Sequence, residues 1–241
     1  MRLWHILVFL VALVVFGAAR APATLVARQV PGVFTYERIG GTAWAGRVEG
    51  VHVGPFQSDA LNWRLSALDL LGGRAAVSAG ISGGDLDGEG RAAAALGGRR
   101  SLRIPRLRIA GGRIGAAALS GATEVSGLDI AFASGACAHA EGQINSDVLA
   151  QSGRALNFNG PTLTGAAACD GDDALVRMTG ENSDAALVDM TLRLQPDGGG
   201  TWRIAVAGAG ADAQSALAAA GFQASPNSGQ MVMSGDFRWF M

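Results

Sequence analysis

The sequence predicts an all-β fold. We expect a strongly bent, mostly antiparallel meandering sheet, for which a groove is one possible shape, with one short helix in the C-terminal region and a transmembrane helix at the N-terminus. Apolar residues alternate with period two over most of the chain, as strands with one buried face require. Glycine accounts for 36 of 241 residues, about twice the usual share, and it interrupts the alternation where hairpin turns would fall. The successive strand patterns have no helical crossovers between them, which indicates antiparallel pairing.

The chain begins with an apolar run from Leu3 to Ala19. A helix of that length spans about 25 Å, a little less than the roughly 30 Å apolar core of a bilayer. We expect residues 1–24 to form an uncleaved membrane anchor with its exit segment, and residues 25–241 to form a single β domain outside the cytoplasm. A cleaved signal peptide is the alternative, because Gly17 and Ala19 have the small side chains and the spacing of a cleavage site.

Two cysteines fit an exported domain. An even number of cysteines outside the cytoplasm favours a disulfide, and Cys137 and Cys169 are each flanked by small residues that allow two backbones to approach. A metal site formed with His139 and Asp170 has suitable ligand types, but the chain lacks the Cys-x-x-Cys spacing of zinc sites. We therefore predict a disulfide between Cys137 and Cys169, and neither a metal nor a cofactor.

The first half contains several strand patterns in chain order. Alternating residues predict strands at about 33–39, 51–56, 61–65 and 75–81, followed by a glycine-rich loop or hairpin turn at 83–90. The apolar phase then changes across Pro105, which predicts either two strands or one strand with a bulge there.

The second half has the clearest alternation. Strands are predicted around Ile130, at 188–194 and, after a turn at 196–200, at 202–206. The alanine-rich segment from Asp212 to Ala220 is the predicted helix, since Asp212 suits its N-cap and Gly221 ends it. A last strand is expected at 231–240.

No catalytic set is evident in the sequence, and we predict that the protein is not an enzyme. Ser82 lies in a Gly-x-Ser-x-Gly match, but the glycine-rich residues that follow cannot form the helix that a nucleophile elbow requires. The acidic run at 170–173 lacks the spacing of a calcium loop and is better explained as a hairpin turn. The net charge of −1 gives no support to a nucleic-acid partner.

Three short motifs resemble the signature of the type II secretion system protein N family, in the same order. They are Gly-Thr-Ala-Trp-Ala-Gly-Arg at 41–47, Trp-Arg-Leu at 63–65 and Leu-Leu-Gly-Gly-Arg at 70–74. The family has a bulkier residue where this chain has Ala43, and serine where it has Ala45. The anchor, the length, the glycine-rich β pattern and the late helix are also similar to the family.

The resemblance implies a single-pass protein of the bacterial inner membrane with most of its chain in the periplasm. Its expected function is non-enzymatic: protein–protein contacts with other type II secretion subunits during export of folded proteins across the outer membrane. The family is more distantly similar to the AsmA-like group, whose bent sheets form grooves associated with lipid handling. The alternative function is therefore the binding or transfer of lipid in a hydrophobic groove.

Trp44, Arg47 and Trp63 are the first candidates for partner contact, because tryptophan beside arginine is common at protein interfaces. The alternative is that both tryptophans are core anchors in a domain with few aromatic residues. The alternation of Trp63 with its neighbouring leucines favours that interpretation for Trp63. In a structural role, Arg47 and Arg74 would pair with carboxylates such as that of Asp69.

Arg103, Arg106 and Arg108 are the second candidates. They belong to a local basic run that suits an acidic partner or anionic headgroups. The alternative is a solvated outer face that balances the acidic loop at 85–89.

Overall fold

The structure, a computed structural model, describes residues 20–24, 34–54, 56–111, 113–114, 117–118, 120–155, 159–182, 186–219, 221–226 and 228–238. Most of the predicted anchor, the start of the first predicted strand and the end of the last one lie outside these residues. A search of the described part for a helix long and apolar enough to span a membrane found none.

Fifteen strands form one sheet in the described part of the chain, and two more form a separate hairpin. Their bounds are β1 Phe34–Thr35, β2 Arg38–Gly41, β3 Ala45–Val53, β4 Phe56–Leu65, β5 Arg74–Ser82, β6 Leu86–Ala95, β7 Arg100–Ala110, β8 Arg113–Ile114, β9 Ala117–Ala118, β10 Ala122–Ala133, β11 Ala136–Ser146, β12 Leu163–Asp170, β13 Asp173–Glu181, β14 Leu187–Leu194, β15 Gly199–Ala207, β16 Gln223–Ala224 and β17 Met231–Arg238. The hairpin consists of β8 and β9. The all-β prediction is confirmed.

The helices are α1 Ala67–Leu71, α2 Val148–Ala155 and α3 Ala211–Ala219. The third is the predicted C-terminal helix, so the prediction of only one helix was wrong. Helix α1 is too short to show a helical period, and it is set by its cap: the Ser66 hydroxyl accepts a hydrogen bond from the amide of Asp69 at 3.2 Å. Helix α2 was not predicted, although Asp147 suits its N-cap and its eight residues are amphipathic at the helical period.

The strands follow one another across the sheet almost in chain order, as a meander does. The order is β1-β3-β4-β5-β6-β7-β10-β11-β12-β13-β14-β15-β17-β16, with β2 also paired to β3. Each pair in the described residues is antiparallel. The glycine-rich stretch at 83–90, predicted as a loop or hairpin turn, is only a short turn, because β6 already begins at Leu86.

Strand β7 is continuous through Pro105 and carries the predicted bulge. Its pairing with β6 shifts between Glu89 and Arg91, which face Arg106 and Arg103. One extra residue on β7 thus explains the change of apolar phase in the sequence.

The sheet is strongly bent. The guanidinium of Arg100 on β7 donates a hydrogen bond of 2.6 Å to the carbonyl of Pro196 in the β14–β15 turn. In a flat sheet, five strand spacings, or roughly 24 Å, would separate β7 from β14. The hydrogen bond therefore requires the sheet to curve. A bulge at Gly127, whose φ of +60° is left-handed, shifts the β10–β11 register and contributes to the bend.

The hydrophobic core lies on the inner side of the bend, in the second half of the sheet. Ile130 and Phe132 of β10 are 0% and 1% exposed. They pack with apolar residues of β11 to β17, among them Val176 and Val188, and with Leu149 of α2 and other partly buried side chains. We call the side that bears Ile130 the inner face and the opposite side the outer face.

The first half of the sheet has a different inner face. Leu61, Ile81 and Leu107 are in register with Val125 and Ile144, so they point to the same side. The three are half-buried, whereas Ile144 is 4% exposed and Val48, which faces Leu61 at the other end of the row, is 2% exposed. The sheet therefore encloses its core mainly around its second half.

Candidate functional site

The first family-like motif forms the turn between β2 and β3. The amide of Thr42 donates to the carbonyl of Ala45 at 2.9 Å. In return, the Thr42 hydroxyl accepts from the amide of Ala45 at 3.2 Å. Threonine at this position therefore closes the turn with its side chain as well as its backbone.

Trp63 of β4 lies across this hairpin. Its indole Nε1 donates to the carbonyl of Ala43 at 3.1 Å, and its ring lies on Gly46, where a Cβ would come within 2.2 Å of the ring. The side chain is half-buried. Trp63 is thus an internal anchor of the hairpin, as the core interpretation expects, because its ring fills the space that Gly46 leaves.

Trp44 and Arg47 occupy different environments. Trp44 is half-buried in the turn, and its carbonyl accepts from the amide of Leu65 at 2.7 Å. Arg47 is exposed and pairs with Glu49 at 3.2 Å. Arg47 thus pairs with a carboxylate, as its structural role predicts, but the partner is Glu49, since Asp69 is bonded by Arg91 at 2.7 Å.

The exit segment at residues 20–24 joins the chain at this same turn. Pro22 forms a β-bridge with Thr42. The amide of Ala43 donates to the carbonyl of Ala21 at 2.8 Å, and that of Ala23 donates to the carbonyl of Gly41 at 3.3 Å. The motif is thus the point at which the N-terminal segment is attached to the sheet.

A shallow depression of about 340 Å³, open to solvent, lies over this edge of the sheet. It is lined by Gly40, Gly41, Ala45, Gly46, Arg47, Asn62, Trp63 and Arg64. It includes no cluster of acidic, cysteine or histidine side chains, so among its lining residues there is neither a general base nor a metal ligand set. The exposed guanidiniums of Arg47 and Arg64 suit contact with a protein or a small anion.

Arg106, from the second candidate group, lies on the same face as Arg47. In an antiparallel sheet, residues that face each other on neighbouring strands point to the same side. Successive facing pairs therefore define a row of side chains across the sheet. The row runs through Arg47, Asn62, Gly80, Glu89, Arg106, Ser126, Gln143, Ala166, Arg177, Thr191 and Arg203. Four strand spacings, about 19 Å, separate Arg47 from Arg106 along it. Arg47 and the second candidate group therefore share the outer face without forming one pocket, whereas Trp63, which follows Asn62 on β4, points to the inner side.

The arginines of β7 differ in their partners. Arg103 is bonded to Asp129 of β10, and Arg108 lies 3.9 Å from Glu124. Arg106 is exposed and has no ion pair with any residue that the structure describes. Strand β10 thus supplies the ion pairs of Arg103 and Arg108, while Glu89 and Asp87 of the acidic stretch lie directly opposite Arg106 and Arg108 on β6. Because Arg106 is exposed and makes no ion pair within the described residues, it is the residue of this group best placed to bind a partner.

The predicted disulfide is present. Cys137 and Cys169 are bonded, with their Cα atoms 5.7 Å apart, which excludes both thiolates as metal ligands. Strands β11 and β12 pair directly over only four residue pairs, from Gln143 to Ser146. The disulfide, together with a hydrogen bond of 2.8 Å from the Cys137 amide to the carbonyl of Asp172, joins the two strands again beyond the end of that pairing.

Three aspartates that could take part in a metal site, Asp129, Asp170 and Asp173, are bonded to arginines. Arg193 bonds Asp170 at 2.6 Å and Asp173 at 3.1 Å across the β12–β13 hairpin, which fits the predicted turn. These two ion pairs place a guanidinium where a calcium ion would have to bind. Asp129, His139 and Glu141 bring one ligand atom each within 4.8 Å of one another on the outer face, but Asp129 is already bonded to Arg103.

Ser82 does not lie in a nucleophile elbow. It ends β5, and the residues after it form a turn that leads into β6. The carbonyl of Ser82 accepts a hydrogen bond from the Ser58 hydroxyl at 2.9 Å. The strand–turn–helix geometry that exposes a catalytic serine is therefore missing at this serine.

Comparison with known proteins gives one match. The family model described as "Type II secretion system (T2SS), protein N" matches residues 34–230. Neither the search of curated proteins nor the search of solved structures found a match. The matched region covers the sheet from β1 to the residue before β17 and includes all three motifs. The chain therefore belongs to the type II secretion system protein N family.

Proposed function

We propose that this protein is a non-enzymatic component of the type II secretion system, anchored in the inner membrane, that acts through protein–protein contacts during export of folded proteins across the outer membrane. Family membership supports the secretion role. The single observation that supports a particular contact surface is the exposed row of outer-face residues that begins at Arg47 and includes Arg106.

Charge favours this row as a docking surface for an acidic partner. Arg106 has no ion pair among the described residues, and Arg47 has only an exposed one, with Glu49. Exposed pairs contribute little stability, so both guanidiniums are available to bind carboxylates. Arginine also makes bidentate contacts with carboxylates, which adds specificity to the attraction.

Photo-crosslinking tests the contact directly. A photo-reactive amino acid in place of Arg47 or Arg106 should form adducts with another secretion subunit in cells that contain the complete system. Ser234 is the matched control, because it is exposed and in register with Arg203 at the far end of the same face. Equal adduct patterns at all three positions would contradict a contact centred on Arg47 and Arg106.

A secretion assay gives a second test. Arg47→Glu and Arg106→Glu should each lower the amount of exported protein, since a carboxylate would repel an acidic partner. Arg203→Glu, a charge reversal of the same kind farther along the row, should have little effect. Normal export by the Arg47→Glu/Arg106→Glu double variant, at wild-type protein level, would exclude this surface.

The membrane anchor is proposed from the apolar run at 3–19. Alkaline extraction of membranes tests it: the full-length chain should stay in the membrane pellet, with an N-terminus that retains residue 1. Release of the chain into the soluble fraction, or a mature N-terminus after Ala19, would favour the cleaved signal peptide.

A second candidate function is the binding of a lipid acyl chain on the inner face of the first half. It is favoured by Leu61, Ile81 and Leu107, which are half-buried and in one row. The amount of lipid extracted per purified full-length protein should then be lower for Leu107→Asp than for Arg106→Asp. The second variant is the control, because it also introduces an aspartate but on the outer face. Equal lipid content in both variants would contradict this function.

A further inference from the structure

The same four residues, Leu-Gly-Gly-Arg, occur at two turns of the sheet. They are residues 71–74, which lead from α1 into β5, and residues 96–99, which join β6 to β7. In both copies the leucine is 87% exposed. Leu71 ends α1 and Leu96 lies in the β6–β7 turn; large apolar side chains exposed together, unlike single ones, mark sites of contact with a protein or a membrane.

The two turns are neighbours. The amide of Leu96 donates to the carbonyl of Gly73 at 2.9 Å. Leu68 of α1, which is 81% exposed, belongs to the same end of the sheet. We call Leu68, Leu71 and Leu96 the leucine tip.

The polar surroundings of the leucine tip are basic. Arg74 and Arg99, the last residues of the two copies, are both exposed. The acidic group of α1, Asp69, is bonded by Arg91 at 2.7 Å. Apolar side chains flanked by arginine match the boundary between acyl chains and anionic headgroups.

The exit segment reaches the sheet at this same end. Residues 20–24 bond to the turn before β3, and the carbonyl of Trp44 in that turn accepts from the amide of Leu65, the last residue of β4. Helix α1 starts two residues later, at Ala67. A bilayer that holds the apolar run at 3–19 would therefore lie beside the leucine tip.

We propose that the leucine tip, with Arg74 and Arg99, rests on the anionic surface of the bilayer that holds the N-terminal segment. The inference rests on the membrane anchoring proposed above. Contact is confined to the first half of the sheet, because at this end the later turns carry Asp172 and Asp197, which anionic headgroups repel. The first half is thereby held at the membrane while the core-bearing half extends away from it.

The test uses the full-length chain reconstituted in vesicles of phosphatidylethanolamine and phosphatidylglycerol. p-Benzoylphenylalanine in place of Leu71 or Leu96 should form lipid adducts on irradiation. The same residue in place of Gln57, which is exposed at the opposite end of the sheet, should not. Lipid adducts that are no more abundant at the tip than at Gln57 would overturn the proposal, as would adducts in native membranes that are exclusively with protein.

A second measurement isolates the arginines. Arg74→Gln/Arg99→Gln in the chain labelled at Leu96 should reduce the lipid adducts toward the Gln57 level, whereas Arg203→Gln should leave them unchanged. Alkaline washing of the vesicles distinguishes a failure of the tip contact from a failure of the membrane anchoring, because it shows whether the chain stays in the bilayer. A chain that is retained but unlabelled at the tip contradicts only the tip contact, whereas a chain that is washed off contradicts the anchoring and the contact that rests on it.

Discussion

The indole ring of Trp63 takes the place of a side chain at Gly46. A Cβ on Gly46 would lie 2.2 Å from Cζ2 and 2.4 Å from Cη2 of that ring. The family-like motif and the later tryptophan are therefore parts of one packing unit, since the glycine of the first makes room for the ring of the second.

Gly46→Ala should destabilise the protein. The added methyl group has to displace a ring whose N–H is bonded to Ala43, and overpacking of this kind costs about 1–3 kcal/mol. The free energy of unfolding, measured by urea denaturation of the full-length protein in detergent, gives the value. Gly40→Ala is the matched control, because a methyl group there would have no atom beyond its chain neighbours within 4 Å. Equal stability of the two variants would contradict the packing described here.

Removal of the disulfide should lower stability without unfolding the sheet. The bond links residues 32 positions apart, and closing a loop of that size stabilises by about 3–4 kcal/mol in the chain-entropy model. Cys137→Ser/Cys169→Ser compared with wild type by denaturation measures the loss. Mass spectrometry of the unreduced protein should find no free thiol, and two alkylated cysteines in protein purified without reductant would contradict the bond.

Asp147→Asn should destabilise the protein at neutral pH more than at acid pH. A hydrogen bond of 2.6 Å from the amide of Ala122 is the main cause that lowers the pKa of Asp147. A lowered pKa in the folded state contributes stability above the unfolded pKa, and this contribution is lost as the pH falls through the folded value. The difference between variant and wild type should thus be at most about 1 kcal/mol at neutral pH and should narrow below about pH 4. A difference that grows with acidity would contradict this role.

Ile130→Ala should be among the most damaging single truncations. Ile130 is 0% exposed within the core cluster, and such changes cost about 2–5 kcal/mol because they leave a cavity. Leu107→Ala removes a half-buried side chain on the same face and should cost less. Thermal or urea unfolding compares the two variants. A larger loss of stability in Leu107→Ala would contradict the location of the core in the second half of the sheet.

Much of the fold was predictable because it depends on local alternation. The strands around Ile130 and from Val188 to Leu194 have one buried face, so period two is strong in their sequence. The bulge near Pro105 was also predictable, since one extra residue reverses the phase. By contrast, α1 has only five residues and depends on its Ser66 cap, which is a signal too short to separate from a turn.

The candidate site was predictable only in part, because ion pairs depend on register. The sequence indicates that Arg103, Arg106 and Arg108 are exposed, but only the pairing of β7 with β10 determines that Arg103 meets Asp129 and that Arg106 faces Ser126. The attachment of residues 20–24 to the Thr42 turn likewise joins segments that no local pattern relates. The repeated Leu-Gly-Gly-Arg could have been found in the sequence, although its exposure could not.

The short pairing between β11 and β12 has a mechanical consequence. A load applied between β3 and β17 passes through the strand pairs in series, so the pair with the fewest bonds yields first. That pair is β11–β12, with four direct residue pairs, compared with seven between β12 and β13. The Cys137–Cys169 bond links the same two strands beyond these pairs, so part of the tension between them is carried by a covalent bond.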